Sequence, residues 1–181
     1  MSGETDTAAA YGIGGHAGWI VGGALGGAIG AVAFGIVMWV LEPGVLAAAI
    51  PALYGIEPVG LVGWAIHIAH GALLGIVFGL LVTRPRVLGV LRTDVETSAL
   101  SRIGIVVRTT AAGFVYGLTV WTVLPLLVLP AWIAAVGASG AEALTSIAAG
   151  SLLGHLVFGT VLGAVFAATV DLHDRTVETP F

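Results

Sequence analysis

Four long apolar segments dominate the hydrophobic pattern of this chain. Each has the roughly 20 apolar residues that a helix needs to cross a bilayer. Proline, glycine and charged residues separate them, as is typical of the ends of spanning helices. We therefore predict four membrane-spanning helices, at about residues 16–41, 59–82, 103–124 and 145–170.

Two shorter apolar stretches lie between these segments, one after the first and one after the third. Residues 44–56 are too short to cross a bilayer, and they favour an interfacial or re-entrant helix. Pro125 and Pro130 bracket the second stretch, which ends at Gly137. Each pair of spans is thus predicted to be joined by a short apolar helix on the same side.

Composition agrees with an all-α integral membrane protein of one domain, residues 1–181. Apolar residues make up 58% of the chain and charged residues 9%, whereas soluble domains carry about 25% charged residues. The absence of cysteine excludes disulfides and thiolate metal sites, and the absence of lysine excludes Schiff-base chemistry. A net charge of −4 gives no electrostatic case for binding nucleic acid.

Basic residues fall on one predicted side of the membrane. Four spans place both termini and the polar stretch 84–102 on that side, and arginines favour cytoplasmic loops. The sequence therefore predicts a plasma-membrane protein with cytoplasmic termini, and an 84–102 loop that contacts anionic lipid or a cytoplasmic partner. The six arginines are 84, 86, 92, 102, 108 and 175.

Glycines recur every four residues in the first segment. Small residues at this spacing let two helix backbones approach closely in lipid, where packing drives association. We expect this surface to pack inside the bundle or to form a homodimer or larger membrane complex. The glycines are Gly18, Gly22, Gly26 and Gly30, with Gly23 and Gly27 beside them.

The sequence also indicates an internal repeat. HIAHGALLGIVFG, at 67–79, resembles HLVFGTVLGAVFA, at 155–167, and the match pairs His67 with His155. It also pairs two glycines of each segment, Gly71 with Gly159 and Gly75 with Gly163. A second match, in the first half of each repeat, pairs Gly35, Trp39 and Pro43 with Gly117, Trp121 and Pro125.

These matches predict a tandem duplication of a unit made of a spanning helix, a short interfacial helix and a spanning helix. Repeat 1 covers about 16–83 and repeat 2 about 103–170, with the cytoplasmic loop 84–102 between them and a polar tail at 171–181. Two spans per unit predict a pseudo-two-fold axis along the membrane normal. His67 and His155 are then expected near that axis, roughly 15 Å below the outer boundary.

Paired histidines in a four-helix membrane bundle suggest the two axial ligands of a b-type haem, for electron transfer or sensing. Arg108 is a candidate partner for the haem propionates, and His70 a candidate third ligand for a metal ion such as copper or zinc. Glycines give room for a flat macrocycle against a helix; the candidates are Gly71, Gly75, Gly159 and Gly163.

Two other interpretations stay open. A small channel or transporter would use the histidines as a constriction, since ionisable groups in spanning helices mark ion or proton routes. A structural or accessory subunit would use them as interhelical hydrogen bonds. No catalytic motif is present in the sequence, so at most a redox carrier is predicted rather than an enzyme.

Overall fold

The computed structural model describes residues 17–57, 59, 61–92, 100–136 and 150–172. Helices are the only regular elements in these ranges. They are α1 (Gly18–Leu41), a π-helical turn (Val45–Ala49), α2 (Ile50–Ala52), α3 (Val62–Val82), α4 (Pro85–Arg92), α5 (Leu100–Val123), a second π-helical turn (Leu124–Val128), α6 (Leu129–Val136) and α7 (Leu152–Thr169).

The prediction of four helices long and apolar enough to cross a membrane is confirmed for this part of the chain. They are α1, α3, the continuous helix that α5 begins, and α7. Residues 145–149, where the fourth helix was predicted to begin, and the tail from 173 onwards lie outside the described residues. Below, the end of the bundle where α3 ends is called the α4 end, and the other the α2 end.

The four long helices are arranged in the order α3, α1, α7, α5. α1 packs closely along both α3 and α7, and α7 packs along α5. α3 and α5 make few backbone contacts, and Tyr116 bridges them by donating a hydrogen bond of 2.8 Å to the Leu74 carbonyl. A pseudo-two-fold axis would make the α1–α7 and α3–α5 contacts equivalent. These two contacts differ, so the axis and the duplication stay predictions.

One glycine stripe of α1 faces α3. A Cβ added at Gly27 would collide with the Gly71 carbonyl, and one added at Gly75 would collide with the Gly23 carbonyl. Only glycine allows the two backbones to approach this closely. Gly23 and Gly27 of α1 are therefore in direct backbone contact with Gly71 and Gly75 of α3.

A second glycine stripe of α1 faces α7. A Cβ at Gly26 would lie 3.1 Å from the Leu162 carbonyl, and one at Gly30 would lie 2.7 Å from the Phe158 carbonyl. Leu162 and Phe158 are buried in the core. The adjacent glycines that the sequence offered for packing or for a dimer thus serve two faces of one helix, which explains why α1 has two close neighbours.

Glycines also pack α5 against α7. Gly113 meets the Gly159 carbonyl and Gly163, in the same way that Gly27 meets Gly71 and Gly75. The matched glycines of α3 and α7 therefore make similar contacts in both helix pairs. The sequence match pairs Gly35 of α1 with Gly117 of α5, but these two glycines do not make equivalent contacts. Gly117 contacts Gly159, whereas Gly35 meets the Trp64 ring. The equivalent packing positions of α1 and α5 are therefore shifted by one helical turn from the sequence match.

The two short apolar stretches share a π-helical turn before a proline. The Ile50 N–H bonds the Val45 carbonyl and the Leu129 N–H bonds the Leu124 carbonyl, both with i→i−5 spacing. Pro51 follows the first turn and Pro130 the second. A proline ring collides with the carbonyl four residues before it, and the wider turn relieves this collision.

The second stretch does not form a separate helix. A third span ending near Leu124 was predicted, but the helix continues through Pro125 and Pro130 to Val136. The π-helical turn accommodates Pro125 near its start, so the chain does not have to bend away as it does at Glu42 and Pro43. The sequence-based boundary was therefore wrong in this half.

The 84–102 stretch, predicted as a polar loop, contains a helix. Residues Pro85–Arg92 form α4, and Leu88 and Leu91 are buried with Ile105 in the core cluster. These eight residues mix two leucines and two valines with two arginines, and the segment is too short to stand out in a hydropathy window. Residues 93–99 of the stretch lie outside the described residues.

Candidate functional site

His67 lies five residues after the start of α3 and reaches across to α1. Its Nε2 is 3.0 Å from the Ala31 carbonyl. A carbonyl only accepts, so Nε2 carries the proton and donates it to this bond. Ala31 lies near the middle of α1. His67 therefore contacts α1 about halfway along its length, although His67 itself lies near the start of α3.

His155 lies in the first turn of α7. Its Nδ1 is 3.0 Å from the Ser151 carbonyl, and the Ser151 hydroxyl is 3.2 Å from the same nitrogen. Nδ1–H donates to the carbonyl, so the lone pair is on Nε2. The two histidines therefore adopt opposite tautomers: one is bonded to a neighbouring helix, the other to its own.

The Phe34 ring of α1 contacts both histidine rings. Its ring centroid is 5.2 Å from that of His67, nearly edge-on, and 4.6 Å from that of His155. The ring also lies directly on Gly154, where a Cβ would collide with it. Phe34 is 7% exposed. The structure thus brings the predicted pair to one aromatic side chain without bringing the imidazoles into contact.

The four glycines that the sequence offered as room for a flat macrocycle do not form an open surface beside the histidines. A Cβ on any of them would meet atoms of the neighbouring helix, and the carbonyls of Gly23, Gly27, Thr109 and Gly113 are among those atoms. The room that glycine leaves is filled by helix backbone. The glycines involved are Gly71, Gly75, Gly159 and Gly163.

His70 belongs to a different environment. It is exposed on α3, and its Nε2 is 2.7 Å from the Tyr54 hydroxyl. Tyr54 follows α2, so the pair links the α2 segment to the side of α3. Among the ring contacts of His70 that the structure gives, Tyr54 is the partner, whereas Phe34 is the partner of His67 and His155.

Arg108 does not lie beside the histidines. Its Nη1 donates a hydrogen bond of 3.3 Å to the Leu91 carbonyl at the end of α4. Gly117, nine residues further along α5, contacts the His155 carbonyl. At 1.5 Å per residue, Arg108 is about 13 Å from that level along the helix. Its predicted role as a propionate partner would need a ligand that reaches this far.

Sequence reasoning missed Phe34, Ala31 and Tyr54. Ala31 continues the stripe of Gly23 and Gly27, and Phe34 continues the stripe of Gly26 and Gly30, so the sequence marks their faces as packed but does not say what they pack against. Tyr54 is 16 residues from His70 and carries no periodic signal. Ser151 could have been found, since a hydroxyl four residues before a histidine lies on the same helical face.

Among the described residues, no group of three or more histidine, aspartate or glutamate side chains converges. No protein-family model matches the chain, and comparison with curated proteins and with solved structures finds no significant match.

Proposed function

We propose that this protein is an integral membrane protein with a structural role, a close-packed helical scaffold that serves as an accessory subunit. Its paired histidines fasten α1, α3 and α7 around Phe34. The observation that supports this proposal is that the buried Phe34 ring packs against both imidazoles, while each imidazole is hydrogen-bonded to helix backbone.

The energetics favour a fastening role. An interhelical hydrogen bond in a membrane protein contributes about 0.6 kcal/mol on average. Edge-on aromatic pairs such as Phe34 with His67 add about 0.5–1.5 kcal/mol. A conduction path would need a continuous polar lining, and Phe34 together with the glycine backbone contacts fills this part of the interior. Conduction is therefore the less supported hypothesis.

Haem ligation is the second candidate, and the tautomer of His155 favours it. Histidine ligands commonly donate one ring N–H to a backbone carbonyl and bind the metal through the other nitrogen, and the Nδ1–H of His155 is bonded in this way. Two axial ligands on one iron would require the Phe34 ring, which packs against both imidazoles, to make room for the macrocycle.

A haemin titration of the detergent-purified protein separates the two proposals. The structural proposal expects no histidine-dependent Soret band, and it expects Phe34→Ala to lower the free energy of unfolding by about 3–5 kcal/mol through the cavity it leaves. The haem candidate expects a Soret band that shifts on reduction, strengthens in Phe34→Ala and disappears in His155→Ala. His70→Ala is the matched control, since it also removes one imidazole.

The outcomes are distinct. A Soret band lost in His155→Ala and kept in His70→Ala would overturn the structural proposal in favour of haem. If the protein is colourless and its Phe34→Ala variant is as stable as the wild type, the structural proposal is also overturned. The Phe34 ring would then contribute nothing to the stability of the bundle.

A further inference from the structure

α4 has one face packed on the bundle. Leu88 is 3% exposed and Leu91 6% exposed, and both belong to the core cluster that contains Val82 and Ile105. The helix therefore lies against the ends of α3 and α5.

The opposite face of α4 combines exposed valines with exposed arginines. Val87 is 39% exposed and Val90 72% exposed. Arg84, just before the helix, and Arg86 in its first turn are also exposed. Exposed apolar side chains beside cationic ones are typical of a helix that lies in the headgroup region of a bilayer.

Arg108 fixes the position of α4 at this level. Its bond to the Leu91 carbonyl satisfies a backbone acceptor at the C-terminal end of the helix, where a positive charge is also favourable. Ile105, which packs on α4, is one turn before Arg108 in the apolar part of α5. The helix is therefore held beside the apolar end of a long helix and not out in water.

The charged residues of the α4 segment have one sign. Residues 84–92 contain three arginines and no acidic residue. Of the three acidic residues that the structure describes, Glu42 and Glu57 flank the segment at the α2 end, whereas Asp171 follows α7 at the α4 end. A cationic surface at the level of the headgroups is complementary to phosphate, which arginine binds through two parallel N–H donors.

We infer that α4 is an interfacial helix that binds anionic phospholipid, with Arg84 and Arg86 on the headgroup phosphate and Val87 and Val90 among the first carbons of the acyl chains. The inference is independent of the role of the histidines. It makes α4 the element that anchors this end of the bundle to an anionic leaflet.

The experiment is lipid competition in nanodiscs of phosphatidylcholine and phosphatidylglycerol. The full chain is extracted gently and the lipids retained by each molecule are counted by native mass spectrometry. We expect phosphatidylglycerol to be enriched over phosphatidylcholine. Each arginine near an anionic surface contributes roughly a fivefold preference, so Arg84→Gln with Arg86→Gln should lower the enrichment by about 25-fold.

The matched control is Arg84→Lys with Arg86→Lys, which keeps the charge and should keep most of the enrichment. Both arginines are exposed, so neither double variant should disturb the core. Size-exclusion chromatography checks that each variant is folded. A second arm adds inorganic phosphate at constant ionic strength. If inorganic phosphate displaces phosphatidylglycerol better than chloride does, the arginines form a site for free phosphate, and the lipid inference is overturned. Equal enrichment in the wild type and the glutamine pair would also overturn it.

Discussion

Replacing Gly71 with alanine tests the close contact between the α1 and α3 backbones. The added Cβ would collide with the Cβ of Ala31 and would lie 2.6 Å from the Gly27 carbonyl oxygen. An ordinary carbon–oxygen contact is about 3.4 Å, so α1 and α3 would have to separate by several tenths of an ångström along their shared surface. Both obstacles belong to α1, one of them its backbone, so no flexible side chain can yield instead.

The magnitude follows from two opposing effects. Overpacking a close interface costs about 1–3 kcal/mol, and replacing glycine by alanine within a helix returns about 0.5–1 kcal/mol. We expect Gly71→Ala to lower the free energy of unfolding by about 1–2 kcal/mol. Thermal unfolding in detergent, followed by fluorescence of the five tryptophans, measures this change.

Gly89→Ala is the matched control. It makes the same chemical change inside a helix, α4, where an added Cβ meets nothing within 4 Å. Only the propensity effect remains, so this variant should be stabilised by about 0.5–1 kcal/mol. If Gly71→Ala were as stable as Gly89→Ala, the backbone contact between α1 and α3 would be refuted.

The other predictions concern single hydrogen bonds. Tyr116→Phe removes the bond to the Leu74 carbonyl and should lower the free energy of unfolding by about 0.5–1.5 kcal/mol. Cysteine pairs placed across α3 and α5 should then cross-link less selectively than in the parent protein. Unchanged cross-linking would mean that this bond does not hold the two helices together. His67→Leu loses the bond to Ala31 and should cost about 1 kcal/mol in the same unfolding assay. His70→Leu, at an exposed position, should cost less, and the reverse order would contradict the assigned environments.

Much of the fold follows from the sequence because it depends on length and apolarity. Four segments are long and apolar enough to cross a bilayer. The matched glycines of α3 and α7 were also identifiable, since a small residue every fourth position leaves one flat stripe on a helix. By contrast, α4 was missed because its eight residues mix leucine with arginine.

The candidate site was less predictable. The sequence marks His67 and His155 by their rarity in apolar helices and by their matched positions. It does not reveal which side chain packs against both of them. Phe34 continues the stripe of Gly26 and Gly30 by one four-residue step, which marks a packed face, but the pattern cannot say that the histidines lie on that face.

The sequence by itself determined the number of long helices, their apolar character and the residues that break them, because these depend on the local chain and on the cost of unbonded backbone in an apolar medium. Tertiary structure decided which helices are neighbours. Two adjacent glycine stripes placed α1 between α3 and α7, and that placement brought Phe34 against both histidines. Neighbours are chosen by the fit of whole surfaces in three dimensions. The glycine period of α1 marks two packing faces, but it does not say which helix occupies each of them.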